Sequence, residues 1–148
     1  MADDTRPQAL DRLEAFIGRW ITEGETVASP GAPSLPIVAS DVYEWMPGRR
    51  FVMHPAYGHI GDMDVGGLEV IGHDPETDQF RTYFFSGSGE VIQETLSYEG
   101  GAWIWRGASV RCTGTFSDDG KSLVARHERS VDGVSWAPSM TVTLRRTD

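Results

Sequence analysis

The chain has 148 residues, with 22 Asp and Glu against 13 Lys and Arg, a formal charge of −9 at pH 7. That balance argues against nucleic acid and anionic membranes as partners, because such affinity comes mainly from Lys and Arg neutralising phosphates. With 17 Gly, 8 Pro and 39% hydrophobic residues, the sequence is too punctuated for a helical bundle yet apolar enough for a β-rich core.

In chain order, Leu10, Leu13, Phe16 and Ile17 recur at spacings of three and four after Pro7 and before Gly18, which predicts one short amphipathic helix over 7–16. About ten strand-like runs follow, spaced as in a sandwich or barrel. They cover 18–28, 37–46, 49–59, 65–73, 79–86, 90–98, 102–107, 110–117, 121–131 and 136–146. Turn chemistry separates them: Pro47-Gly48, the 74–78 turn, Ser86-Gly87-Ser88-Gly89, Gly100-Gly101, Asp118-Asp119-Gly120 and Asp132-Gly133. Consecutive hairpins make a meander, and a meander of this size is best stabilised by closing on itself, which removes both sheet edges. The expected fold is therefore an all-β, ten-stranded antiparallel up-and-down barrel, a single domain over 1–148 with 1–6 disordered. Closure at that strand number predicts an interior wide enough for a small ligand. The 28–36 connection carries Pro30, Pro33 and Pro36 and favours extended backbone. It reads equally as a lid over one mouth or as a plain surface loop.

Cys112 is the lone cysteine, so an intrachain disulfide is excluded. The start MADDTRPQ has neither the basic nor the apolar region of a signal peptide, and no apolar run approaches the roughly 18 residues that span a bilayer. A cytoplasmic protein, monomer or homodimer, is the expectation.

Side chains alternate across a strand, so parity sorts the candidates. Met140, Val142 and Leu144 point inward on the last run, and Leu123, Ala125 and His127 on the run before it. Cys112 falls on an inward face as a small core residue. A two- or four-residue turn at Pro47-Gly48 sets Asp41 opposite His54 and places Asp41, Tyr43, Trp45, Val52 and His54 on one face, read as the cavity wall. An Asp41–His54 pair would orient an imidazole and raise its basicity, as in a general-base dyad, but no Gly-x-Ser-x-Gly nucleophile motif accompanies it. His54, His59, His73 and His127 are scattered over three runs without ligand spacing, so no metal is expected. Glu94 shares the parity of Ile92 and Leu96, and Trp103 and Trp105 share a face.

Several segments together resemble a known family. Gly18-Arg19-Trp20 after a short helix is similar to the opening signature of the calycins, in which a basic residue of the last strand packs over the Trp; Arg146 has the parity to do so. Tyr43-Glu44-Trp45-Met46-Pro47-Gly48, Phe51-Val52-Met53-His54, Gly67-Leu68-Glu69-Val70-Ile71-Gly72-His73-Asp74, Phe116-Ser117-Asp118-Asp119-Gly120 and the 128–136 segment resemble a bacterial calycin-like barrel family of unknown function, domain of unknown function 1579. The resemblance implies a hydrophobic or amphipathic small molecule in the barrel. Nitrobindin-like relatives imply haem held by a late histidine, but the last run has none, which leaves only His127 or His54 for that role. The leading expectation is a non-catalytic binder of a largely apolar ligand with one polar group. Tyr43, Trp45 and Trp105 would supply wall, and His54, Glu94 and His127 hydrogen bonds, with no cofactor. The alternatives are a small enzyme using Asp41–His54 as general base, haem binding, and a scaffold or dimerisation module with a filled barrel.

Overall fold

The structure is a computed structural model that describes residues 6–147. Expected disorder over residues 1–6 therefore falls outside the described residues except at Arg6, whose guanidinium donates to the Asp11 carboxylate at 2.5 Å and to the Arg49 carbonyl at 2.6 Å. The ten expected strands are all present: β1 (Gly18–Thr26), β2 (Pro36–Trp45), β3 (Phe51–Ile60), β4 (Met63–Asp74), β5 (Gln79–Ser86), β6 (Val91–Glu99), β7 (Ala102–Arg106), β8 (Val110–Phe116), β9 (Ser122–Arg129) and β10 (Ala137–Arg146). Each pairs antiparallel with its sequence neighbours, and β10 closes on β1. Every strand thus finds ladder partners on both sides, and no edge is left to recruit another chain.

The helix over Gln8–Ala15 is a 3-10 helix. Leu10, Leu13 and Phe16 fall three apart, the repeat of that helix, and are 1%, 0% and 0% exposed. This stripe plugs one end of the barrel. Phe16 lies at its centre, with ring centroids 5.2 Å from Tyr43, 4.9 Å from Trp103, 5.9 Å from Trp105 and 5.1 Å from Phe116. Trp20 donates its indole N–H to the Phe16 carbonyl at 2.9 Å. The Arg146 guanidinium lies 4.1 Å over the Trp20 ring, as the calycin resemblance implies, and also donates to the Ile17 and Ala15 carbonyls, two acceptors left free where the helix ends.

Burial grades along the barrel. Towards the plugged end the inward Val52, Ile71, Leu96 and Leu123 are sealed from solvent. Towards the other end the inward Ala39, Ala56, Phe84, Ile92, Glu94, His127 and Met140 are only half-buried. That open rim carries exposed apolar side chains, Val27, Leu35, Met63, Val91, Val131 and Val134. The proline-rich connection stands there as well. It is folded back by a Ser29–Ala32 bridge and by the Thr26 N–H on the Leu35 carbonyl, with Leu35 and Pro36 lining a groove with Ile60, Gly61 and Met63.

One expectation is corrected. Asp41 pairs across β2–β3 with Ala56 and Trp45 with Val52, so the register lies two residues from that expected, because the whole Met46–Arg50 stretch forms the connection, closed by the Met46 N–H on Phe51 and the Arg49 N–H on Met46. A shift of two preserves parity. Asp41, Tyr43 and His54 therefore still face inward.

Candidate functional site

Between the sealed half and the open rim, the inward residues of successive strands form a polar belt. His54 sits at its centre, 9% exposed, with both ring nitrogens engaged. Nε2 lies 2.6 Å from Asp41 Oδ1, and Nδ1 lies 2.9 Å from Glu69 Oε1. The Asp41 contact runs diagonally across β2–β3, whereas Glu69 is the direct register partner of His54 across β3–β4. Each carboxyl group is satisfied again behind the imidazole. The Thr22 hydroxyl donates to Asp41 Oδ2, and the Trp105 indole N–H donates to Glu69 Oε2 at 3.1 Å. Tyr43 stacks on the imidazole face, ring centroids 3.7 Å apart.

Burial alone would make this imidazole hard to protonate, but the hydrogen bonds and charges of Asp41 and Glu69 outweigh it and push the His54 pKa up to about 9. At neutral pH the ring is an imidazolium donating to two carboxylates, with no lone pair left on either nitrogen. As a Brønsted base or an iron ligand it has nothing to offer in this arrangement.

The rest of the belt is less committed. Glu94, half-buried on β6, makes no hydrogen bond or ion pair among the described residues, and burial together with the nearby Glu69 charge pushes its pKa up to about 7. Thr82, its register partner on β5, is 0% exposed and its hydroxyl has no partner among the described residues. His127 faces Cys112 across β8–β9, with Nε2 at 3.6 Å from Sγ, and burial holds its pKa below the ordinary histidine value. Burial, with the Glu94 and Glu69 charges, pushes the Cys112 thiol far up, so it stays protonated and packs as a core residue.

The sequence candidates are thus partly brought together. Asp41, Tyr43, His54, Trp105, Glu94 and His127 all contribute to the belt or its floor. Trp45 does not: it sits at the plugged end, donating to Glu14 at 2.8 Å with the Arg6 and Arg49 guanidinium groups each 5.0 Å from its ring, where it clamps the helix to the β2–β3 connection. Glu69, Thr22 and Thr82 were not expected. The signal for Glu69 lay in Gly61-Asp62: a two-residue turn there pairs Ile60 with Met63 and carries His54 into register with Glu69.

No group of three or more potential metal-binding side chains occurs among the described residues. A haem fits poorly: His54 has no lone pair to give, His127 directs Nε2 to the Cys112 thiol, and Phe16, Trp103 and Trp105 fill the space beneath the belt.

A closed antiparallel barrel with a plugged floor and a buried charged belt defines the class. The chain belongs to the family described as "Protein of unknown function (DUF1579)", which matches residues 7–146. No curated protein matches it. Among solved structures it is similar to Rv2717c from M. tuberculosis, with a TM-score of 0.63 and 14% identity over 97% of this chain and 100% of that one. The S-type phycobiliprotein lyase CPES from Guillardia theta is also similar, with a TM-score of 0.59 and 8% identity over 98% of this chain and 96% of that one. At these identities the likeness is one of fold. No helix is long and apolar enough to cross a membrane among the described residues.

Proposed function

We propose that the barrel binds a small, largely apolar molecule through its open end, with one polar group of the ligand resting on the belt. The observation that carries this reading is Glu94, an inward, half-buried carboxyl group without a protein donor, beside a sealed and unpartnered Thr82 hydroxyl. Buried polar groups are normally satisfied, and leaving one unpaired costs about 1–3 kcal/mol. A ligand supplies the missing partner. The apolar rim of Leu35, Met63 and Val91, with Ala39, Ala56 and Ile92 inside it, suits an apolar body. Catalysis by Asp41–His54 is the weaker reading, because an imidazolium held by two carboxylates has no free nitrogen to accept a proton.

The test uses Nile red, a neutral apolar fluorophore. Saturable one-to-one enhancement is expected with the wild-type protein. It is lost in Ala56→Trp, which fills the upper interior, while the melting transition shows that the barrel remains folded. Failure of the dye to bind, or equal binding to a folded Ala56→Trp protein, refutes the reading.

A further inference from the structure

The inward charges above the aromatic floor do not balance. Asp41 and Glu69 share a single imidazole, each through one hydrogen bond, and Glu94 stands apart from both without a donor. Glu69 on β4 is the nearest charge, one strand away across β5 on the same wall, with the Asp41–His54 pair of β2 and β3 beyond it. Cys112 on β8, His127 on β9 and Tyr43 on β2, whose phenol burial holds protonated, are the further titratable groups, while β5 and β7 present Thr82, Phe84 and Trp105, none of them ionisable in the ordinary range. Arg129, two residues beyond His127, is the cationic side chain whose parity points to this half; it stands exposed at the rim, and its charge helps to lower the His127 pKa without an ion pair to Glu94. Arg146, at the plugged end, is committed to Trp20 and the helix carbonyls. Three inward carboxyl groups therefore meet one imidazolium, and the excess is acidic.

We infer that the polar group of the ligand is a cation, a protonated amine or an N-protonated heteroaromatic ring, received by Glu94 with its apolar body directed towards the rim. This inference rests on the binding reading above and names the chemistry of the same site. A cationic N–H donor satisfies the Glu94 carboxyl group and offsets the charge left over at the Asp41–His54–Glu69 clamp, whereas a carboxylate head group would add like charge to a partly dry interior. An alcohol would do the first and not the second. Thr82, paired in register with Glu94, is sealed from solvent and stands beside it as wall.

Octylammonium, 1-octanol and octanoate share one tail and differ in head group, and each is titrated against bound Nile red near pH 7.5. The ammonium is expected to bind roughly tenfold to a hundredfold more tightly than the alcohol, the range of one charge-assisted hydrogen bond, and octanoate most weakly. Glu94→Gln, nearly isosteric, should bring the affinities of the ammonium and the alcohol to within a few fold of each other, because the amide offers both the same neutral acceptor. A second measurement needs no variant. Because a bound cation favours ionised Glu94, binding of octylammonium at pH 6.5 should release protons, seen as a dependence of the calorimetric heat on buffer ionisation enthalpy, whereas 1-octanol should release none. If octanoate binds as tightly as octylammonium, or if no proton is released, the cation inference is wrong while binding stands. If none of the three displaces Nile red and the dye itself does not bind, the binding reading fails and takes the inference with it.

Discussion

The His54 clamp makes stability depend on pH in a window fixed by its own titration. Its pKa rises from 6.5 in the unfolded chain to about 9 in the folded one, because the hydrogen bonds and charges of Asp41 and Glu69 more than offset its burial. A raised folded pKa means that the stabilisation is complete below the unfolded value of 6.5 and disappears as pH climbs through 9. The shift corresponds to about 3 kcal/mol by proton linkage, of which about 2 kcal/mol falls between pH 7.5 and 9.5. Urea unfolding followed by tryptophan fluorescence at intervals across that range measures it, with His54→Gln as the comparison. The variant should be less stable by about 3–5 kcal/mol at pH 7.5, as expected when one partner of a buried ionic cluster is removed. Its stability should also fall about 2 kcal/mol less than that of wild type by pH 9.5. The Cys112 thiol begins to ionise in the unfolded chain at the top of the range, but does so equally in both proteins and cancels in the difference. Parallel stability curves for the two proteins would refute the reasoning, since they would mean that His54 is neutral in the folded barrel or titrates normally.

The remaining expectations concern the floor and the belt. Phe16→Ala opens a cavity under four aromatic rings and should cost about 3–5 kcal/mol in urea unfolding. Cys112, buried and kept protonated, should resist a disulfide exchange reagent such as Ellman's reagent at pH 8 in the folded protein and react fully in denaturant. Thr82→Val removes an unpartnered hydroxyl at nearly constant shape and should stabilise the ligand-free barrel by about 1 kcal/mol, measured as a shift in the urea midpoint at unchanged slope.

The strands are legible because their punctuation is chemical: Gly100-Gly101 and Asp118-Asp119-Gly120 each mark a reversal that the chain makes. Face assignment by parity survives an error in register, since the longer Met46–Arg50 connection moves β2 against β3 by two residues and not by one. The 3-10 type of the helix is obscured by Ile17, which breaks the strict three-residue repeat of Leu10, Leu13 and Phe16 and makes the pattern look α-helical. Glu69 is hidden for a different reason. On β4, Gly67, Glu69 and Ile71 alternate with Leu68 and Val70, so both faces look apolar and parity does not tell inside from outside; only the β3–β4 pairing distinguishes them. Trp45 escapes the cavity wall because parity reports the face of a strand and not the height along it, and at its height the neighbours are Glu14 and Arg49.

The plugged floor also sets a length scale. From Glu94 to Val91 at the rim the β6 strand runs three residues, roughly 10 Å along its path and roughly 8 Å along the axis of a tilted barrel. A molecule whose head group rests at Glu94 has that much shelter and no more, about the reach of an extended chain of six carbons. Anything longer projects past Met63 and Val91 into solvent. Gly67 shapes the passage as well: a β-carbon there would overlap the Phe85 carbonyl oxygen and the tip of the Phe84 ring, so the aromatic side chain packs against bare backbone. In a series of tails of increasing length, the affinity gained per methylene should therefore stop growing once the tail clears the rim.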